Sequence, residues 1–211
     1  MSGVESIKRA TCVLLCVVFA GCSVLPVESS PPPSLFALRP SFSSETAAAT
    51  SETGPVIAIA PPAARAGFEG PGMAYVTRPF ELQYFGRHQW VEPPARMLEP
   101  LLELAIERAG RLRPVTSTSG VLAELRLETE IVVLQQEFDV RPSRLRFGLR
   151  ARLVDPGVGR VIATTELEAL EPAESDEAYG GVVAANRAVA RVLEQLAVWC
   201  DAQVPKRPAE Q

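Results

Sequence analysis

The chain has 211 residues, with 47% hydrophobic and 22% charged residues and a formal net charge of −4. That size suits one domain with appendages, and a mildly acidic balance makes nucleic acid a poor partner. One histidine and four cysteines exclude a histidine-based zinc site and a dense disulfide framework.

Residues 1–21 read as a signal segment. Lys8 and Arg9 precede an apolar run from Ala10 to Ala20 that only Thr11 interrupts. The run is too short for a spanning helix, which needs about 20 residues. It ends in Phe19-Ala20-Gly21-Cys22, which resembles a bacterial lipobox, although Phe19 stands where Leu is usual. Cleavage before Cys22 and acylation of its sulfur are expected. An ordinary signal peptide and an uncleaved anchor helix are the alternatives, and the polar, proline-rich sequence from Ser23 disfavours the second. Acyl chains hold a protein to a bilayer without any spanning helix. On this reading Cys12 and Cys16 are removed, and Cys200 remains as a small hydrophobe on a helix.

Residues 22–54 are expected to be a tether, because 23–33 and 40–55 are rich in Ser, Pro, Thr and Ala and lack periodicity. The apolar burst at 34–39 is a candidate strand docked on the domain. Residues 55–203 are expected to fold, and 204–211 read as a polar tail.

Val56 to Ala60 reads as a short buried strand stopped by Pro61-Pro62, and 67–72 as a glycine-proline loop. Met73–Thr77 and Glu81–Phe85 are further strand candidates. Apolar residues from Met97 to Ala109 recur at helical spacing and stop at Gly110. Pro100 implies that this helix starts near Glu99 or bends at Pro100.

Period-two alternation marks two long strands. Leu125, Leu127, Thr129, Ile131 and Val133 form one apolar line, and Leu145, Phe147, Leu149, Ala151 and Leu153 form the other. A hairpin through 135–143 and a third strand from Arg160 to Leu170, after Asp155-Pro-Gly157, follow. The opposite faces carry Glu124, Glu128 and Glu130 against Arg144, Arg146, Arg150 and Arg152. Cross-strand pairing is the favoured reading over phosphate or lipid-headgroup binding. A final helix is expected over 176–203, with Val182, Val189, Leu193, Leu196 and Cys200 inward. Asn186 lies on that stripe and needs partners, such as a strand end or a loop. Asp176 and Glu177 read as charges complementing the helix dipole. The sum is an α/β (α+β) domain: one mixed or antiparallel sheet with two main helices on it.

No catalytic constellation emerges, so the chain reads as a non-enzyme without metal or cofactor. His88 has no triad partners and reads as a surface or loop residue. The 67–72 loop lacks the Lys-Ser/Thr of a phosphate loop.

The segment from Met73 to Pro94, with Tyr75, Tyr84, Phe85, Trp90 and Pro93, leads into a helix ending Arg108-Ala-Gly110. Later come Ala151-Arg-Leu-Val-Asp155, Gly159-Arg-Val-Ile162 and Leu196-Ala-Val-Trp199. This ordered set, over roughly residues 34–200, resembles the ABC-type transport auxiliary lipoproteins, the PqiC-like proteins. The resemblance implies a lipoprotein anchored to the periplasmic side of the outer membrane of a Gram-negative bacterium. Its implied partners are an MCE-domain protein and the permease and ATPase of a transporter for phospholipids or other hydrophobic molecules. It also leaves room for a homo-oligomer. Phe80, Tyr84, Phe85 and Trp90 are the candidate docking residues; core packing is the favoured alternative for Tyr84 and Phe85. Two other functions remain open: a domain that itself holds a lipid between sheet and helices, and a purely structural envelope protein.

Overall fold

A computed structural model describes residues 31–43 and 53–204. The signal segment with Cys22, most of the tether and the tail from Pro205 lie outside the described residues.

Among the described residues, nine strands form one mixed sheet. β7 (Leu125–Glu137) and β8 (Arg144–Asp155) make an antiparallel hairpin, and β9 (Arg160–Pro172) pairs antiparallel with β8. The other edge of β7 is shared by three short strands in turn. β2 (Val56–Ile59) pairs with its start, β3 (Ala63–Ala64) with its middle and β4 (Gly72–Val76) with its end, all parallel to it. Pro61-Pro62 and the 67–72 loop are the breaks between these contacts. β6 (Arg113–Thr116) extends the sheet beyond β2. β5 (Gln83–Trp90) extends it beyond β4, and β1 (Ser34–Phe36) lies parallel to β5.

Two helices cover one face. α1 (Pro94–Ala109) lies beside α2 (Ala178–Gln203), and α2 rests on β8 and β9. Phe147, Leu149 and Leu153 of β8, Leu127 and Ile131 of β7, Leu98, Leu102 and Ile106 of α1, and Leu193 of α2 are all fully buried between the layers. Complete burial of such a side chain contributes about 1.5–3 kcal/mol. Ala184, Ala185 and Ala188 are also fully buried; their small side chains let α2 lie close to the sheet.

Three expectations are corrected. α1 begins at Pro94 rather than near Glu99, which leaves Pro100 inside the helix, as the other reading of that residue requires. Pro100 has no N–H to bond the carbonyl of Arg96, and both residues lie on the exposed side of the helix. The alternation of β7 breaks at a bulge between Ile131 and Val133, so Leu134, not Val133, is the next buried residue. Gly148 sits opposite: a Cβ there would lie 2.9 Å from Val133 Cγ1, which explains a glycine in mid-strand. Third, the second strand of the 73–90 segment is β5, which extends to Trp90 and so places His88 on a strand, half-buried, rather than in a loop.

The bulge also turns Gln136 inward, to 2% exposure. Its Nε2 donates to Ser143 Oγ at 2.9 Å and to the Glu177 carbonyl at the start of α2. Close packing there depends on glycine. A Cβ on Gly180 would stand 2.4 Å from the Ser175 carbonyl oxygen and 2.7 Å from its nitrogen. Gly180→Ala improves intrinsic helix propensity by about 1 kcal/mol, yet it forces backbone apart. It is expected to destabilise the fold by about 1–3 kcal/mol in urea unfolding; a stabilised variant would show that the Ser175 turn yields freely.

Candidate partner-docking surface

The four aromatic candidates have four different surroundings. Trp90 is 3% exposed and belongs to the core, opposite Phe36 of β1, so it cannot contribute to an exposed patch. Phe85 is half-buried, with its ring 4.7 Å from Tyr75 and 6.3 Å from Phe138. Tyr84 is half-exposed and its hydroxyl donates to the Gly67 carbonyl at 2.9 Å. Phe80 alone is fully exposed, with no shielding at all.

Phe80 lies in a tight turn between β4 and β5. The Glu81 N–H bonds the Arg78 carbonyl at 3.4 Å, Pro79 holds the second position and Phe80 the third, with φ of +69°. This is the pattern of a type II turn, whose third position favours Gly or Asn. The Arg78 guanidinium and the Glu81 carboxylate pair across the turn. A bulky residue in the left-handed region costs roughly 1–2 kcal/mol, and here its ring gains no contact in return.

The other rings form a chain along this end of the sheet. Tyr75 meets Phe138 edge-on at 5.8 Å, Phe85 meets His88 at 6.0 Å, His88 meets Phe36 at 5.9 Å, and Phe36 meets Tyr179 of α2 at 6.2 Å. His88 is thus an aromatic spacer between β5 and β1.

Beyond β1 the chain crosses the helices as a strap, residues 37–43. Leu38 is buried. Asn186 of α2 accepts from the Arg39 N–H through Oδ1, and its Nδ2 donates to the Val182 carbonyl at 3.0 Å and the Ala37 carbonyl at 3.5 Å. The polar residue on an apolar stripe therefore holds a loop. Farther along, Glu194 Oε1 accepts from the Ser43 N–H at 2.7 Å and its hydroxyl at 3.0 Å. Arg108 of α1 donates to the Ser43 carbonyl at 2.8 Å and sits over the Phe42 ring. Glu194 and Arg108 carry no pattern in the sequence that marks them for this task.

The arginine stripe is a ladder of ion pairs. Arg144 meets Glu137 at 2.7 Å, Arg146 meets Glu168 at 2.8 Å, and Arg150 meets Glu166 at 3.0 Å and Glu130 at 3.3 Å. Arg152 reaches Glu128 at 3.5 Å. The hydrogen bond to Glu168 raises the Arg146 pKa, so that guanidinium is engaged rather than offered. On the helix side, nearly buried Glu171 of β9 takes Arg191 at 2.8 Å and Arg187 at 3.6 Å.

Two titratable groups have decided environments. Cys200 is fully buried, and burial pushes its thiol up to about 12, so it is protonated and unreactive at neutral pH. Asp176 does not serve the helix dipole in the expected way: its Oδ1 accepts the Ser143 N–H at 2.9 Å, tying the β7–β8 turn to the approach of α2. That backbone bond, and then the bond to the Ser143 side chain, lower its pKa. Among the described residues no group of His, Cys, Asp and Glu is placed to hold a metal ion, and no helix is long and apolar enough to cross a membrane.

A chain with this sheet, this pair of helices and this N-terminal strap matches a known pattern. Over residues 36–197 it matches the family described as ABC-type transport auxiliary lipoprotein component, and it belongs to that family. A crystal structure of a protein from Xanthomonas campestris shares the fold at 18% identity, with a TM-score of 0.70, over 81% of this chain and 95% of that one. An uncharacterised protein of known structure shares it at 11% identity and a TM-score of 0.62, over 82% of this chain and 99% of that one. No curated protein matches the sequence.

Two outcomes test this description. Phe80→Gly is expected to leave stability unchanged or raise it by up to about 1 kcal/mol, relief of the left-handed strain being partly offset by glycine's freedom when unfolded. A clear loss in urea unfolding would mean that the ring packs on the domain. For Asp176, the lowered folded pKa means that its stabilisation is complete above the ordinary carboxylate value of 3.8 and is lost as pH falls through the folded value. Asp176→Asn is therefore expected to be less stable at neutral pH and to lose less on acidification below about pH 4. Thermal melts across pH check this; an acid limb as steep as the native chain's would refute it.

Proposed function

We propose that the protein is a non-catalytic, outer-membrane-anchored lipoprotein serving an ABC/MCE-type transporter of phospholipids or other hydrophobic molecules. It is acylated on Cys22 and faces the periplasm. The tether before Ser34 lets the domain reach an MCE-domain partner and the transporter's permease and ATPase. The observation that carries the reading is the family match over 36–197 in a chain that also presents Phe19-Ala-Gly-Cys22 after an apolar run. Against a lipid held between sheet and helices stands the filled core: Leu98, Leu102, Leu127, Ile131 and Phe147 occupy that space.

Two measurements test it. Cys22→Ser is expected to move the chain from the membrane fraction to the soluble fraction, with loss of acyl labelling. Purification of the native chain from detergent-solubilised membranes is expected to recover an MCE-domain protein. A Cys22→Ser chain that remains membrane-bound would overturn the anchor, and a folded native bait that recovers no such partner would overturn the transport role.

A further inference from the structure

We propose that the Arg78–Glu81 turn is a membrane contact: Phe80 inserts at the headgroup level of the bilayer that carries the lipid anchor. This inference rests on the acylation of Cys22 proposed above.

The first observation is the anomaly itself. Phe80 is a large aromatic side chain at φ +69° and complete exposure. The fold meets a steric cost and an apolar exposure at one residue, with no contact inside the molecule to offset either. Strain of this kind persists where surrounding structure enforces it and marks functional positions. Here Pro79, the bond from Glu81 N–H to the Arg78 carbonyl and the Arg78–Glu81 ion pair enforce it.

The second observation is the direction of the chain. β4 runs parallel to β7, so the turn after Val76 lies at the C-terminal end of β7, where the Phe138 N–H bonds the Val76 carbonyl at 2.9 Å. β5 leaves that end antiparallel to β4, and β1 runs parallel to β5. Ser34 lies beside His88, about 17 Å along β5 from Gln83, and the chain runs into β1 from the side of the Phe80 turn. Eleven residues lie between Cys22 and Ser34, so the fully extended reach from one to the other is about 40 Å. The opposite end of the hairpin, with Val158 exposed in the turn before β9, lies ~40 Å from the Phe80 end along the length of β7.

The third observation is the surroundings of the ring. A protein-binding anchor sits within a rim that excludes water. Phe80 instead protrudes alone, flanked by Pro79 and the Arg78–Glu81 pair, with Leu82 at 36% exposure nearer the sheet. An isolated aromatic suits a bilayer interface, where the ring meets acyl chains without any shaped complement.

The test uses the full lipidated chain in vesicles of phosphatidylethanolamine and phosphatidylglycerol, with and without bromine on the acyl chains. Phe80→Trp reports the turn, Val158→Trp reports the opposite end, and emission is read against the native chain. The expected result is a blue shift and loss of emission by brominated lipid for Phe80→Trp, and neither for Val158→Trp. Flotation of the vesicle-bound Phe80→Trp chain with no quenching overturns the insertion and leaves the anchor standing. Failure of the native lipidated chain to float overturns the anchor, and the insertion with it. A probe at residue 80 that shifts only when an MCE-domain protein is added identifies a protein contact and equally overturns the lipid contact.

Discussion

The structure depends on the pairing of β7. Its thirteen residues bond β8 along one edge, while the other edge is divided among β2, β3 and β4. Both edges of the strand are therefore occupied, which satisfies its backbone groups and leaves its side chains to separate two environments. A single bulge after Ile131 changes which residues face the helices. It places Leu134 and Gln136 inward, and Gln136 then ties the hairpin to the first turn of α2. The sheet, the turn at Ser143 and the seating of the long helix are one connected arrangement.

The two faces of that sheet divide the chemistry. The helix-facing side is a layer mainly of Leu, Ile, Val, Ala and Phe, with Gln136 hydrogen-bonded at its edge, and Cys200 is one more hydrophobe within it. The open side carries arginines alternating with glutamates from both neighbouring strands. Each exposed pair contributes only about 0.2–1 kcal/mol, so the ladder's main effect is to keep a wide sheet face hydrated and its charges mutually occupied. A surface arranged in this way is poorly suited to capture phosphate, and the features that distinguish the molecule lie at the end of the sheet instead. There the aromatic chain from Phe138 to Tyr179 links β7, β4, β5, β1 and α2, with the Phe80 turn beyond it.

The N-terminal segment belongs to the domain more fully than its composition implies. Ser34–Phe36 lengthens the sheet, Leu38 enters the core, and three polar side chains from two helices hold residues 37–43. For a member of a lipoprotein family this fixes where the chain leaves the folded unit.

Much of this was legible in the chain by itself. Period-two alternation located β7 and β8 within a few residues because each buries one face, and the Asp155-Pro-Gly157 turn marked the start of β9. Helical spacing located α1 and α2, and Asn186 announced a bound loop because a polar group on an apolar stripe needs partners. The ordered motifs sufficed to indicate the family. Only the tertiary structure decided the rest. The strands β3 and β6 are too short and too proline-bound to carry a pattern, and they exist because distant strands offer them an edge. The bulge is invisible to periodicity, since Val132 and Val133 suit either face. The aromatic residues of 75–90 look alike in sequence, yet Trp90 is core, Phe85 is packed, Tyr84 is tied down and Phe80 is free. Exposure depends on what the fold brings alongside a side chain, and composition and spacing hold no record of that.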